Sequence, residues 1–147
     1  MSSMIRQSTA IVRARVVGSS AGHRGSDIYT SYRLDVLETL KASQTPPSEV
    51  AVPGGTVNGV RQTVAGAPKL VEGQEYVLFL WTSPSGLTQV IGLTQGVFTV
   101  IQSGAEATVV RAASTEPMLG PGGLPVKDQA VNLTLEALRQ LVQGGAR

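Results

Sequence analysis

The chain has 147 residues, of which 41% are hydrophobic and only 15% charged, so it can bury one domain-sized core and does not have the composition of a disordered chain. It contains no Cys and a single His, which excludes disulfides, thiolate zinc sites, cysteine nucleophiles and any serine–histidine triad not built on His23. Twelve basic against ten acidic side chains leave a net charge of +2, and the isoelectric point near 9.3 reflects how little titrates in the neutral range more than it reflects a basic surface.

From the N-terminus, residues 9–17 (TAIVRARVV) alternate apolar and charged positions, with Val12, Ala14 and Val16 opposite Arg13 and Arg15. This predicts a half-buried strand. Residues 18–27 (GSSAGHRGSD) have loop composition. Ile28, Thr30, Tyr32, Leu34 and Val36 share one face of a second strand over 28–40. At that length the strand is expected to bend or bulge, and the two segments form a hairpin whose tip is mobile. Residues 41–48 carry Thr-Pro-Pro and make a surface turn. Residues 49–52 form a short strand, Pro53-Gly54-Gly55 interrupts it, and residues 58–68 (NGVRQTVAGAP) read as an irregular connection.

Residues 75–82 (EYVLFLWT) are apolar on both faces and predict a central strand covered on both sides, with Tyr76, Phe79 and Trp81 taken as core or helix-covered. A tight turn at 83–86, a return strand over 87–93 and strands at 97–102 and 107–112 follow. A loop then spans 113–130, and the C-terminal helix is assigned to 131–143. Asn132 or Thr134 caps it, and Leu135, Leu138, Leu141 and Val142 form its apolar stripe. That stripe needs a surface to cover, either the second face of the 75–82 strand or an open end of the barrel. The sum is a mainly β domain spanning 1–147: a small barrel of five to seven strands over 8–112 with one C-terminal α-helix, a two-sheet sandwich being the alternative.

No segment approaches the length of a membrane-spanning apolar run, and no apolar stretch of signal-peptide type is visible near Met1. Gly-x-Ser-x-Gly and phosphate-loop patterns are absent, no segment places two acids side by side on one face, and no metal-ligand set stands beside His23. The reading is therefore a non-enzymatic chain without cofactor or metal, with an enzyme of unknown type as the third choice. Two surfaces remain as candidates. One is a recognition rim for a protein partner, made of His23 and Arg24 in the 18–27 loop with Pro53, Gly54, Gly55, Arg61 and Gln62 in the glycine-flanked connection. The other is a face for single-stranded nucleic acid formed by Arg13, Arg15, Tyr29 and Arg33, thinly supported because the basic residues are dispersed along the chain.

The successive segments IVRARVVGSSA, IYTSYRLDVLETLKAS, EVAVPGG and LVEGQEYVLFL (Leu70–Leu80) resemble the OB-fold core of netrin-like domains, the group that includes the tissue inhibitors of metalloproteinases, and a group of exported bacterial proteins. The resemblance covers about residues 8–100. It implies an OB-like barrel, an exported setting and binding of another protein, with protease inhibition implied by fold analogy alone. The inhibitors act through a disulfide-tied N-terminal Cys, and with no Cys in this chain no residue inherits that role.

Overall fold

The computed structural model describes residues 2–42, 47–64, 67–84, 86–91, 93–103, 106–111, 118–119, 125–126 and 131–145. Its strands are β1 (Ala10–Arg24), β2 (Asp27–Ala42), β3 (Glu49–Pro53), β4 (Gly55–Val57), β5 (Val60–Gln62), β6 (Glu75–Thr82), β7 (Thr88–Val90), β8 (Val97–Ser103), β9 (Glu106–Arg111), β10 (Met118–Leu119), β11 (Pro125–Val126) and β12 (Val131–Thr134). Helices α1 (Ser2–Gln7) and α2 (Leu135–Gly145) flank them. Eight strands form one antiparallel sheet in the order β12-β9-β8-β6-β1-β2-β3, with β7 added to β6. The fold is thus mainly β with a C-terminal helix. The pairs β4–β5 and β10–β11 are separate two-strand ladders.

The sheet has two buried faces. Val12, Ala14, Val16, Leu34, Leu78 and Leu80 belong to one core, joined by Val50 and Val52 of β3. On the reverse face Ile11, Val77, Phe79, Phe98 and Val109 meet Leu135, Leu138 and Val142 of α2 and Ile5 of α1. Strand β6 belongs to both: Tyr76, Leu78 and Leu80 enter the first core, Val77 and Phe79 the second. This is the doubly covered strand that its two apolar faces predict, and α2 covers the face expected of it. Phe79 and Phe98 meet with ring centroids 5.5 Å apart. The helix begins at Leu135, after a strand at 131–134, and the Thr134 hydroxyl caps it by accepting from the Ala137 N–H at 3.1 Å.

The long hairpin bends as expected. Its register slips by one residue at Leu40 and Leu37 of β2 and at Val17 of β1, and each such bulge turns the following side chains to the other face. Leu40 thereby joins the helix-side core although Leu34 and Val36 line the opposite one.

Five expectations are corrected. Residues 18–27 are not a loop: β1 and β2 stay paired out to Arg24↔Asp27, around a two-residue turn at Gly25-Ser26. The ladder hydrogen bonds are made by backbone, so Gly/Ser-rich side chains do not prevent it. Residues 131–134 are strand, not helix, because they pair with β9. Trp81 is 42% exposed; it lies near the end of β6 opposite Gln89 of β7. The stretch at 58–68 starts as the hairpin β4–β5. Of the expected 113–130 loop, β10 and β11 pair with each other and the rest lies outside the described residues.

Candidate functional site

The rim of the sheet at the β1–β2 tip is shaped by how β3 ends. Pro53 pairs with Tyr29 but has no N–H to continue the ladder. Ile28, opposite His23 in β1, turns both its backbone groups away from β1. Its carbonyl accepts from Gly54 N–H at 2.7 Å, and its N–H donates to Gln62 Oε1 at 2.6 Å. The Gln62 side-chain oxygen therefore supplies the acceptor for the Ile28 N–H where the chain leaves β3. The Thr30 hydroxyl donates to Gly54 O at 2.9 Å.

Gly54 and Gly55 have φ of 101° and 141°, a region that L side chains rarely adopt. A Cβ on Gly55 would also lie 2.7 Å from Thr30 Oγ1. The two glycines thus let the chain leave β3 and rise into β4 while staying close against β2. The β4–β5 hairpin closes on Asn58-Gly59, both with positive φ, 50° and 79°, the two-residue turn that matches strand twist.

Between this hairpin, β3 and residues 63–64 and 67–69 runs a cleft of about 390 Å³. Pro53, Gly54, Gly55, Arg61 and Gln62, all expected at the recognition rim, line it. Val52 and Pro68 are buried beneath it, and Arg61, Thr56, Thr63 and Lys69 are exposed around it. His23 is exposed on β1, paired with Ile28, whose N–H holds Gln62, so the β1–β2 tip and the glycine-flanked segment are neighbours. Arg24 ends β1; its side chain lies outside the described residues. Sequence reasoning did not single out Thr56, Thr63 and Lys69. The Asn58-Gly59 dipeptide was the signal that would have placed Thr56 beside Arg61 across a hairpin.

The four residues of the other candidate face are positioned differently. Arg13 Nε and Nη2 both lie 2.8 Å from Glu75 Oε1, and Arg15 Nη2 lies 3.2 Å from Glu75 Oε2. Arg33 is paired with Gly18, and Tyr29 with Gly22 and Pro53. From Arg13 to Gly22 is about 30 Å of strand, so the four residues make a line with its first two charges occupied, not a cluster.

The sheet and α2 are joined by Arg139, whose Nε and Nη2 donate to the two Glu38 carboxylate oxygens at 2.6 and 2.8 Å while Nη1 reaches Glu136 at 2.9 Å. The Arg139 hydrogen bonds hold the Glu38 carboxyl below its ordinary range, against the opposing effect of partial burial. A second cleft, of about 410 Å³, lies at Trp81 with Gln7, Gln89, Val90 and Ile91. Among the described residues no group of three His, Asp or Glu side chains is placed to hold a metal ion, and no helix is long and apolar enough to cross a membrane. No protein-family model matches the sequence, and neither a curated protein nor a solved structure shows significant similarity to it.

Proposed function

We propose that this chain is a non-enzymatic binding module, an OB-like barrel of netrin-like type, that engages a protein partner through the rim cleft between β3, the β4–β5 hairpin and residues 63–64 and 67–69. Three features support the barrel: the bulged, overlong β1 and β2, the antiparallel order of the strands around β1, and the closeness of edge strand β3 to β7.

The observation that carries the functional reading is the cleft itself. Polar side chains without partners stand around an apolar floor, on a hairpin that backbone hydrogen bonds and Gln62 hold in place. A polar rim around an apolar floor on a well-held frame is the usual form of a recognition surface. The nucleic-acid reading loses support because Arg13 and Arg15 already neutralise Glu75.

The test is site-specific photo-crosslinking in the native host, with the reactive residue at position 61 or 63 and, as controls, at the exposed positions 106 and 141. A discrete protein adduct from the rim positions alone is expected. Equal adducts from rim and control positions, or none from the rim, would refute the proposal. Labelled single-stranded oligonucleotide at low salt is expected to give no binding. Salt-sensitive binding there would move the assignment to the β1–β2 face.

A further inference from the structure

We infer that what the rim cleft receives is an acidic side chain, Asp or Glu, carried on an otherwise apolar extended peptide segment of the partner. This rests on the reading of the cleft as the partner site and adds the chemistry of what it takes.

The argument starts from charge. Arg61 and Lys69 are the charged residues lining the cleft, and no Asp or Glu lines it beside them. Other arginines have carboxylate partners: Arg13 and Arg15 share Glu75, and Arg139 holds Glu38 and Glu136. Arg61 and Lys69 make no ion pair or side-chain hydrogen bond among the described residues, nor do the hydroxyls of Thr56 and Thr63 beside them. Two unneutralised cations and two free hydroxyls therefore surround one concavity. In such a place a carboxylate gains charge-assisted hydrogen bonds, and the guanidinium fork suits its two oxygens.

The floor indicates what carries the carboxylate. Val52 and Tyr32 are buried, Pro53 is half-buried, and Val64 is 37% exposed at the edge. Apolar surface of this kind offers nothing to a polyphosphate backbone but accommodates the aliphatic side chains on either side of an acid. The count of two cations also matches one carboxylate more closely than a polyanion, which needs a longer basic track.

The probe is a library of random 12-residue peptides displayed by their C-terminal ends, so that side chains supply all the carboxylates in the random segment. It is selected on the full chain, and the binders are mapped by backbone amide shifts. Peptides enriched in Asp or Glu between apolar residues are expected, shifting amides of 52, 54–56, 61–64, 67 and 69. Arg61→Gln and Lys69→Gln should each weaken them roughly tenfold or more, the worth of a hydrogen bond to a charged group. Arg61→Lys should recover part of that loss. Both side chains are exposed, so the thermal midpoint of the Gln variants should match the parent and separate lost binding from lost folding. Binders that shift the cleft but lack acids, or that ignore both substitutions, overturn the carboxylate and leave the cleft as the partner site. Binders that map elsewhere, or no binders, overturn both.

Discussion

Replacing Leu138 of α2 by Ala is the most direct test of what the helix does. Leu138 is fully buried, in one cluster with Phe79, Phe98 and Val109 of the sheet. The substitution removes three carbon atoms, worth about 2.4 kcal/mol of transfer at ~0.8 kcal/mol for each. The space left between helix and sheet closes only in part, which raises the expected cost to about 3 kcal/mol. For a domain of this length that corresponds to a fall of roughly 6–12 °C in the unfolding midpoint. Leu141 is the internal control: it lies on the same helix but is 46% exposed, so Leu141→Ala should change stability by no more than about 0.5 kcal/mol. Urea and thermal unfolding followed by circular dichroism would measure both, with Trp81 fluorescence as a second probe. Equal losses for the two variants would show that burial against β6 does not set the cost at Leu138, and the two-core account would fall.

Two further outcomes follow from single contacts. Because Arg139 holds the Glu38 carboxyl below its ordinary value of 4.5, the stability that this pair contributes is fully present above that value and is lost as pH falls through the lower folded one. The advantage of the parent over Glu38→Gln, about 0.5–1 kcal/mol for a largely surface pair, should be flat near neutrality and shrink below pH 4.5 in urea titrations; an advantage unchanged by acid would contradict it. Gly96→Ala places a Cβ 2.7 Å from Ile91 O, 2.8 Å from Val90 Cγ1 and 3.1 Å from Phe79 O. Two of these are backbone atoms, and Phe79 O already accepts from the Ile91 N–H at 2.9 Å, so a loss of about 1–3 kcal/mol is expected in thermal unfolding, and a neutral result would mean the contact of Gly96 with β6 and Ile91 is looser than described.

The parts of this fold legible in the sequence are those where side chains carry the information. The two apolar faces of residues 76–80, the alternation from Val12 to Val16 and the α2 stripe apart from Leu141 are buried as their patterns predict, whereas Leu141 and Trp81 stay exposed. The bend in β2 was legible from its length. The outer part of the β1–β2 hairpin was not, because its pairing depends on backbone groups that every residue has, and its Gly and Ser side chains say loop. The β4–β5 hairpin was obscured because its strands have three residues each, too short for periodicity to register. At the rim, residue identity marked Pro53, Gly54, Gly55, Arg61 and Gln62, but their division of labour appears only in three dimensions. Gln62 Oε1 is committed to Ile28, while Arg61 is uncommitted. The Arg139–Glu38 pair spans 101 residues of chain and no local pattern announces it.

A strand walled on both sides also constrains how the chain can change in length. In most sheets, inserting one residue drives apolar side chains into water, and polarity alone rejects the shifted alignment. In β6 such a shift would exchange two apolar rows, and hydrophobicity would hardly register the difference. What distinguishes the rows is shape and a few polar anchors. Tyr76 must keep its hydroxyl where the Val71 N–H donates to it at 3.0 Å, and Thr82 N–H must still meet the Thr9 hydroxyl at 2.9 Å. Phe79 must remain against Phe98. Alignment of this strand is therefore held by its ends and its one tyrosine, and insertions that the surface turns at 83–86 would absorb are ones that β6 cannot.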